Sequence, residues 1–203
     1  YAFDDKADDL GPYENFLKSV RLIAKLPLVV AYSYLRAIKN STNYKVPPKE
    51  LSQAEAFLYA LNEGKTPDAF EAKIVDLSLV LHAEHGGGNN STFTTYVVTS
   101  SGSDLYSTIA AAIASLKGPL HGAANKKVME MMDNIKTNVS DWTNKDEVCA
   151  YLEKIIKKEA NDKSGKIYGL GHAVYTKSDP RAVSILELAS EIAKTNNKED
   201  ELA

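Results

Sequence analysis

Cysteine is almost missing from this chain. Its single instance, Cys149, excludes an internal disulfide framework and a thiolate metal centre, and fits a reducing compartment. No apolar run comes near the ~20 residues of a membrane span, and no signal-like segment stands at the start. Neither sign of charge dominates: 24 basic and 27 acidic residues are mixed along the chain for a net charge of −3. That balance offers no basic stripe for nucleic acid and no polybasic patch for a membrane surface. An initiator methionine is lacking as well. The chain opens on YAFDDKADDLG and stops at NNKEDELA, so the expectation is an internal piece of a longer protein.

What is present suits one large domain or two small ones: 203 residues, 44% hydrophobic and 25% charged. The apolar spacing is helical almost throughout. Residues 13–39 carry Tyr13, Phe16, Leu17, Val20, Ile23, Val30, Tyr34, Leu35 and Ile38 on a helical period, with a kink or break expected at Pro27. A loop is expected over 40–50. Ser52-Gln-Ala-Glu55 resembles a capping box opening a short helix that ends near Gly64. Thr66, with Pro67 behind it, is expected to cap a helix over about 67–82. Segment 91–100 (STFTTYVVTS) favours a strand on propensity, but no partner strand is visible elsewhere, which argues for helix. Ser103 is expected to cap 104–117, stopped by Gly118-Pro119. Further helices are expected from about His121, over about 144–160, and from Pro180, with NDKSGK (161–166) a flexible loop candidate. The fold class expected is all-α.

All four histidines fall at glycine- or proline-marked breaks: His82 and His85 in LHAEHGGGN, His121 in KGPLHGAAN, His172 in YGLGHAVYTKSDPR. Imidazole moves its proton near neutral pH, and glycine lets a ligand approach the backbone. Some apparent motifs fail. Gly64-Lys65-Thr66 lacks the first glycine of a phosphate loop, where Tyr59 stands. His85 to Gly88 mimics an oxyanion loop without any G-x-S-x-G turn to serve. His82, Glu84 and His85 lack the H-E-x-x-H spacing of a zinc site, so no metal is expected.

Three places remain. His121 at a helix start would feel the positive end of the dipole, which disfavours its protonated form; a neutral imidazole there can donate to an oxygen gaining negative charge. The plainer alternative is a histidine that caps the turn. Arg181, one residue after Pro180, sits at the wrong end of its helix for a cation. It would make sense there if it shared an anionic ligand with the free N–H groups, or as a surface arginine paired with Asp179. His172 on the loop just upstream could reach the same ligand. His85 is a further polar donor at a helix end, whereas His82 reads best as a core histidine satisfied by backbone.

Taken together, RLIAKLPLVVAYSYLR (21–36), LHAEHGGGNNST (81–92), KGPLHGAANKKV (117–128) and GLGHAVYTKSDPRA (169–182) resemble the citrate synthase family, with three histidine motifs in its order and spacing. The resemblance implies an all-α fold: part of a large helical dimerisation domain over 1–122, and part of a small coenzyme A-binding domain over 123–203. The active site would lie in the cleft between them. It implies that acetyl-CoA condenses with oxaloacetate to give citrate and coenzyme A. His121 would stabilise the enol of acetyl-CoA, and His172 would hydrogen-bond and protonate the oxaloacetate carbonyl. His85 and Arg181 would hold oxaloacetate oxygens. Ile167, Tyr168, Gly169, Leu170 and Gly171 would meet the coenzyme A adenine through backbone, and His82 would support the scaffold. No cofactor is permanently bound in the family; the coenzyme A thioester is a cosubstrate, and the partner is a second copy, through helices near 67–82 and 91–117. A bacterial cytoplasm suits the chain, as does a mitochondrial matrix.

One part of the family pattern is not found. The base that starts the reaction is an aspartate well downstream of the D-P-R helix, and nothing among these 203 residues can be assigned to replace it. The chain by itself is therefore expected to be inactive. The alternatives are a 2-methylcitrate synthase acting on propionyl-CoA, a citryl-CoA-cleaving relative, and a non-catalytic ligand-binding or dimerisation fragment.

Overall fold

The computed structural model describes residues 1–83, 88–171 and 175–195. Every regular element among them is a helix: α1 (Pro12–Ala37), α2 (Gln53–Leu61), α3 (Ala69–His82), α4 (Asn90–Ser100), α5 (Leu105–Leu116), α6 (Ala124–Asn138), α7 (Lys145–Ile156) and α8 (Pro180–Thr195). The all-α expectation holds. The chain forms two compact units, Tyr1–Ile113 and Ala114–Ala203, dividing in the last turn of α5. None of the described helices is long and apolar enough to cross a membrane.

In the first unit α1 packs on α2, and α2 on α3. Small residues make that contact close: Ala31, Ala54 and Ala60 are fully buried, with Leu35, Leu58 and Ala72 beside them. Of the kink or break expected at Pro27, the break does not occur: α1 runs through it. Proline has no N–H for the carbonyl four residues back, here Ile23; the Gln53 side-chain amide, at the start of α2, donates to that oxygen at 3.0 Å. Residues 1–10 are tied down by polar contacts. Lys18, wholly buried on α1, donates to the carbonyls of Lys6, Ala7 and Asp9 at 3.2, 3.0 and 2.5 Å. Asp4 accepts from the Tyr106 hydroxyl of α5 at 2.5 Å and lies 3.7 Å from the Arg21 guanidinium of α1.

Helix starts follow local chemistry, and two of the caps shift from expectation. The Ser52–Glu55 capping box closes in both directions, at 3.3 and 2.8 Å. Asp68, not Thr66, caps α3, accepting from the Phe70 and Glu71 N–H groups at 2.8 and 3.1 Å. Asp104, not Ser103, accepts from Ser107 N–H at 2.9 Å to start α5. In each case a carboxylate one or two residues further on is the better acceptor for free N–H groups at a positive helix end. Segment 91–100 is helical, as expected against its propensity. Asn89 caps it, and Thr94 and Thr95 return their hydroxyls to the carbonyls of Asn90 and Ser91. The Ser91 hydroxyl reaches the Ala112 carbonyl of α5 at 2.9 Å.

The second unit has its own core. Met131 and Ile135 of α6, Val139, and Ile155 of α7 are buried together, with Trp142, Val148, Tyr151, Leu152, Ile167 and Tyr168 packed against them. Asn144 caps α7.

Candidate active site

His121 lies in the turn between α5 and α6. Its N–H donates to the Gly118 carbonyl at 3.0 Å, and its own carbonyl accepts from Ala124 N–H at 3.4 Å. The expected helix starts later, at Ala124, so His121 precedes the first turn of α6 and is half-buried there. Ala123, at the cap position, provides no side-chain acceptor for the N–H groups of that end. The turn folds back hard on α5. A Cβ at Gly122 would stand 2.3 Å from Leu116 Cδ1 and 2.6 Å from the Leu116 carbonyl oxygen, so only glycine fits.

The 167–171 loop is held against α6. Ile167 and Tyr168 pack on the core of the second unit. Gly169 and Gly171 both take φ of +86°, in the left-handed region. A Cβ on Gly169 would lie 3.2 Å from Val128 of α6, while the Leu170 side chain projects outward, 75% exposed. Thus the loop reaches the first turns of the helix that the His121 turn leads into. Residues 161–166, expected as a flexible loop, carry turns organised by Asp162, whose carboxylate accepts from Ser164 N–H at 3.0 Å and from the Tyr168 hydroxyl at 2.7 Å. Tyr168, then Ser164, and more weakly Lys127 pull the Asp162 carboxyl down to about 2.

Arg181 opens α8 immediately after Pro180. The Asp179 carboxylate caps that helix through the Arg181 N–H at 2.9 Å and takes the guanidinium as a fork, Nε at 3.0 Å and Nη2 at 2.6 Å. The hydrogen bond to Asp179 raises the guanidinium pKa further. One anion therefore satisfies both the positive helix end and the cation placed there, which is the plainer of the two arrangements expected. Among the expected site residues, His85 and His172 lie outside the described residues. His82 is exposed rather than in the core, but backbone does satisfy it: Nδ1 lies 2.6 Å from the Ser78 carbonyl oxygen of its own helix.

The family description "Citrate synthase, C-terminal domain" matches residues 1–203. The chain belongs to the citrate synthase family. It is 40% identical over 191 residues to citrate synthase 2 of Bacillus subtilis, covering 93% of this chain and 46% of that one. To the citrate synthase of Heyndrickxia coagulans it is 41% identical over 196 residues, covering 96% and 48%. The chain thus spans about half the length of these relatives. The crystal structure of citrate synthase from Thermotoga maritima superposes with a TM-score of 0.66 at 29% identity, over 95% of this chain and 53% of that one.

Sequence patterns did not single out Asp162 or Lys127 around these citrate synthase motifs, and offered Asp179 only as the plainer partner for Arg181. For Asp179 the signal was its place directly before Pro180, a helix-cap position. Asp162 reaches Tyr168 across a turn six residues long, and Lys127 reaches Asp162 only because α6 packs alongside; no local spacing announces that second pairing.

Proposed function

We propose that the protein containing this chain condenses acetyl-CoA with oxaloacetate to give citrate and coenzyme A. The observation that carries this is the family match over all 203 residues, with the histidine motifs among them. In this reading a carboxylate base, for which this chain offers no candidate, removes a methyl proton from the thioester. His121 donates to the forming enolic oxygen. The enol carbon attacks the oxaloacetate ketone, activated by His172, and water then cleaves the citryl thioester. His85 and Arg181 hold oxaloacetate oxygens; the fork to Asp179 orients the guanidinium, whose five donors exceed what that one carboxylate can take. Ile167, Tyr168, Gly169, Leu170 and Gly171 contact the coenzyme A adenine through backbone, which the outward Leu170 and the two left-handed glycines suit. No permanently bound cofactor takes part. The domain division after Gly122, closure of the cleft to exclude water, and a homodimer belong to the same proposal. So does a bacterial cytoplasmic setting, supported by the bacterial relatives.

The test follows free thiol as the protein is given acetyl-CoA and oxaloacetate. His121→Ala is expected to lower kcat by about 10²–10³-fold, the usual cost of losing one donor to a developing oxyanion. Turnover within a factor of about two of the unsubstituted protein would remove His121 from this role. A second reading, use of propionyl-CoA, is favoured by one relative, the citrate/2-methylcitrate synthase of Bacillus subtilis, 38% identical over 191 residues. Competition of the two thioesters separates them.

A further inference from the structure

Tyr168 carries a hydroxyl for which backbone contacts to coenzyme A have no use. That hydroxyl donates to Asp162 Oδ2 at 2.7 Å and lies 3.2 Å from Ser164 Oγ. The same carboxylate oxygen stands 3.7 Å from Lys127 Nζ, and Lys127 also pairs with Glu130 at 3.2 Å. Lys127 immediately precedes Val128, the side chain on which Gly169 closes. Three pieces of chain therefore converge on one carboxylate: the turns at 161–165, the loop that begins at Ile167, and the first turn of α6. Backbone at positive φ in Asn161, Lys163 and Gly165 bends the chain so that Asp162 faces back to the loop it precedes. The loop needs an external hold, because glycines at 169 and 171 leave it little stiffness of its own. Both incoming groups are donors, so the latch requires an ionised carboxylate, as the low Asp162 pKa provides.

We infer that Asp162 is a positioning residue for the coenzyme A thioester: through Tyr168 and Lys127 it fixes the 167–171 loop on α6 in the conformation that receives the ligand. This rests on the reading of that loop as the coenzyme A site. Asp162 touches no substrate; it acts through Tyr168 and α6.

Steady-state kinetics of the whole protein test it. Asp162→Asn keeps the shape and removes the charge, and is expected to raise the KM for acetyl-CoA about five- to tenfold, the scale of one intramolecular hydrogen bond at a partly exposed site. The KM for oxaloacetate and kcat stay within about a factor of two. Asp162→Glu, which restores the charge, recovers part of the loss. Tyr168→Phe keeps the ring on its core and removes only the hydroxyl, and is expected to show the same selective rise; it carries the test if Asp162→Asn does not fold. An acetyl-CoA KM unchanged in both variants overturns the latch, as does an equal rise in both substrates' KM values. If the unsubstituted protein shows no saturable dependence on acetyl-CoA, the loop's assignment fails and the latch falls with it.

Discussion

Gly122 shows how little room surrounds the residue on which the chemistry is proposed to turn. An added Cβ would collide with both the Leu116 side chain and its carbonyl oxygen, at 2.3 and 2.6 Å, and the carbonyl belongs to a helix that cannot yield. Gly122→Ala is expected to cost about 1–3 kcal/mol through overpacking, read as a lower thermal midpoint. Thiol release should also fall, because the turn presenting His121 must open. Gly88→Ala, with nothing within 4 Å of the new atom, is the control. An unchanged midpoint in Gly122→Ala would show that the turn relaxes freely. The four histidines and Arg181 were legible from sequence as candidates, because glycine and proline mark the breaks that present them. What each one touches was legible only as alternatives: Arg181 read either as a cation awaiting an anionic ligand or as the partner of Asp179, and the fold takes Asp179, two residues away.

Among whole elements, the periodicity of α1 was plain, but its passage through Pro27 was not. Proline's effect is local, whereas its remedy comes from Gln53, thirty residues on. The same holds for Lys18. On a helical wheel it is an ordinary charged residue; in the fold it is fully buried and serves three carbonyls of the N-terminal segment. Replacing it with Met would keep much of the packing and leave those oxygens without their donor. Lys18→Met is expected to destabilise by about 1–3 kcal/mol, measured by chemical denaturation, with faster proteolysis confined to residues 1–10. Stability equal to the unsubstituted protein would show that water replaces the ammonium. Helix starts were legible to within three residues; where Thr66 and Ser103 lost to Asp68 and Asp104, the stronger acceptor won.

For the whole molecule, the question is what covers the apolar surface left open. In the first unit Val80 of α3, Phe93, Tyr96 and Val97 of α4 and Ile113 of α5 are all at least half exposed. Exposed apolar side chains need a cover where they cluster, and these are the helices through which a second copy is proposed to bind. The 203-residue chain is expected to run as a homodimer in sedimentation or light scattering, and to release no thiol above background from acetyl-CoA and oxaloacetate. A monomeric mass at micromolar concentration counts against the first expectation, and turnover counts against the second.

The sequence by itself determined the helical class, the positions of most breaks, the family, and which residues are candidates for the chemistry. All of these are written in spacings of one to four residues or in motifs of about ten. Only the tertiary structure decided that Gln53 answers Pro27, that Lys18 is buried, and that Asp162 gathers Tyr168 and Lys127 beside the 167–171 loop. Those pairings join groups that come near each other only when the chain folds back. A buried or clustered polar group takes whichever partner the fold supplies, and local sequence does not name that partner.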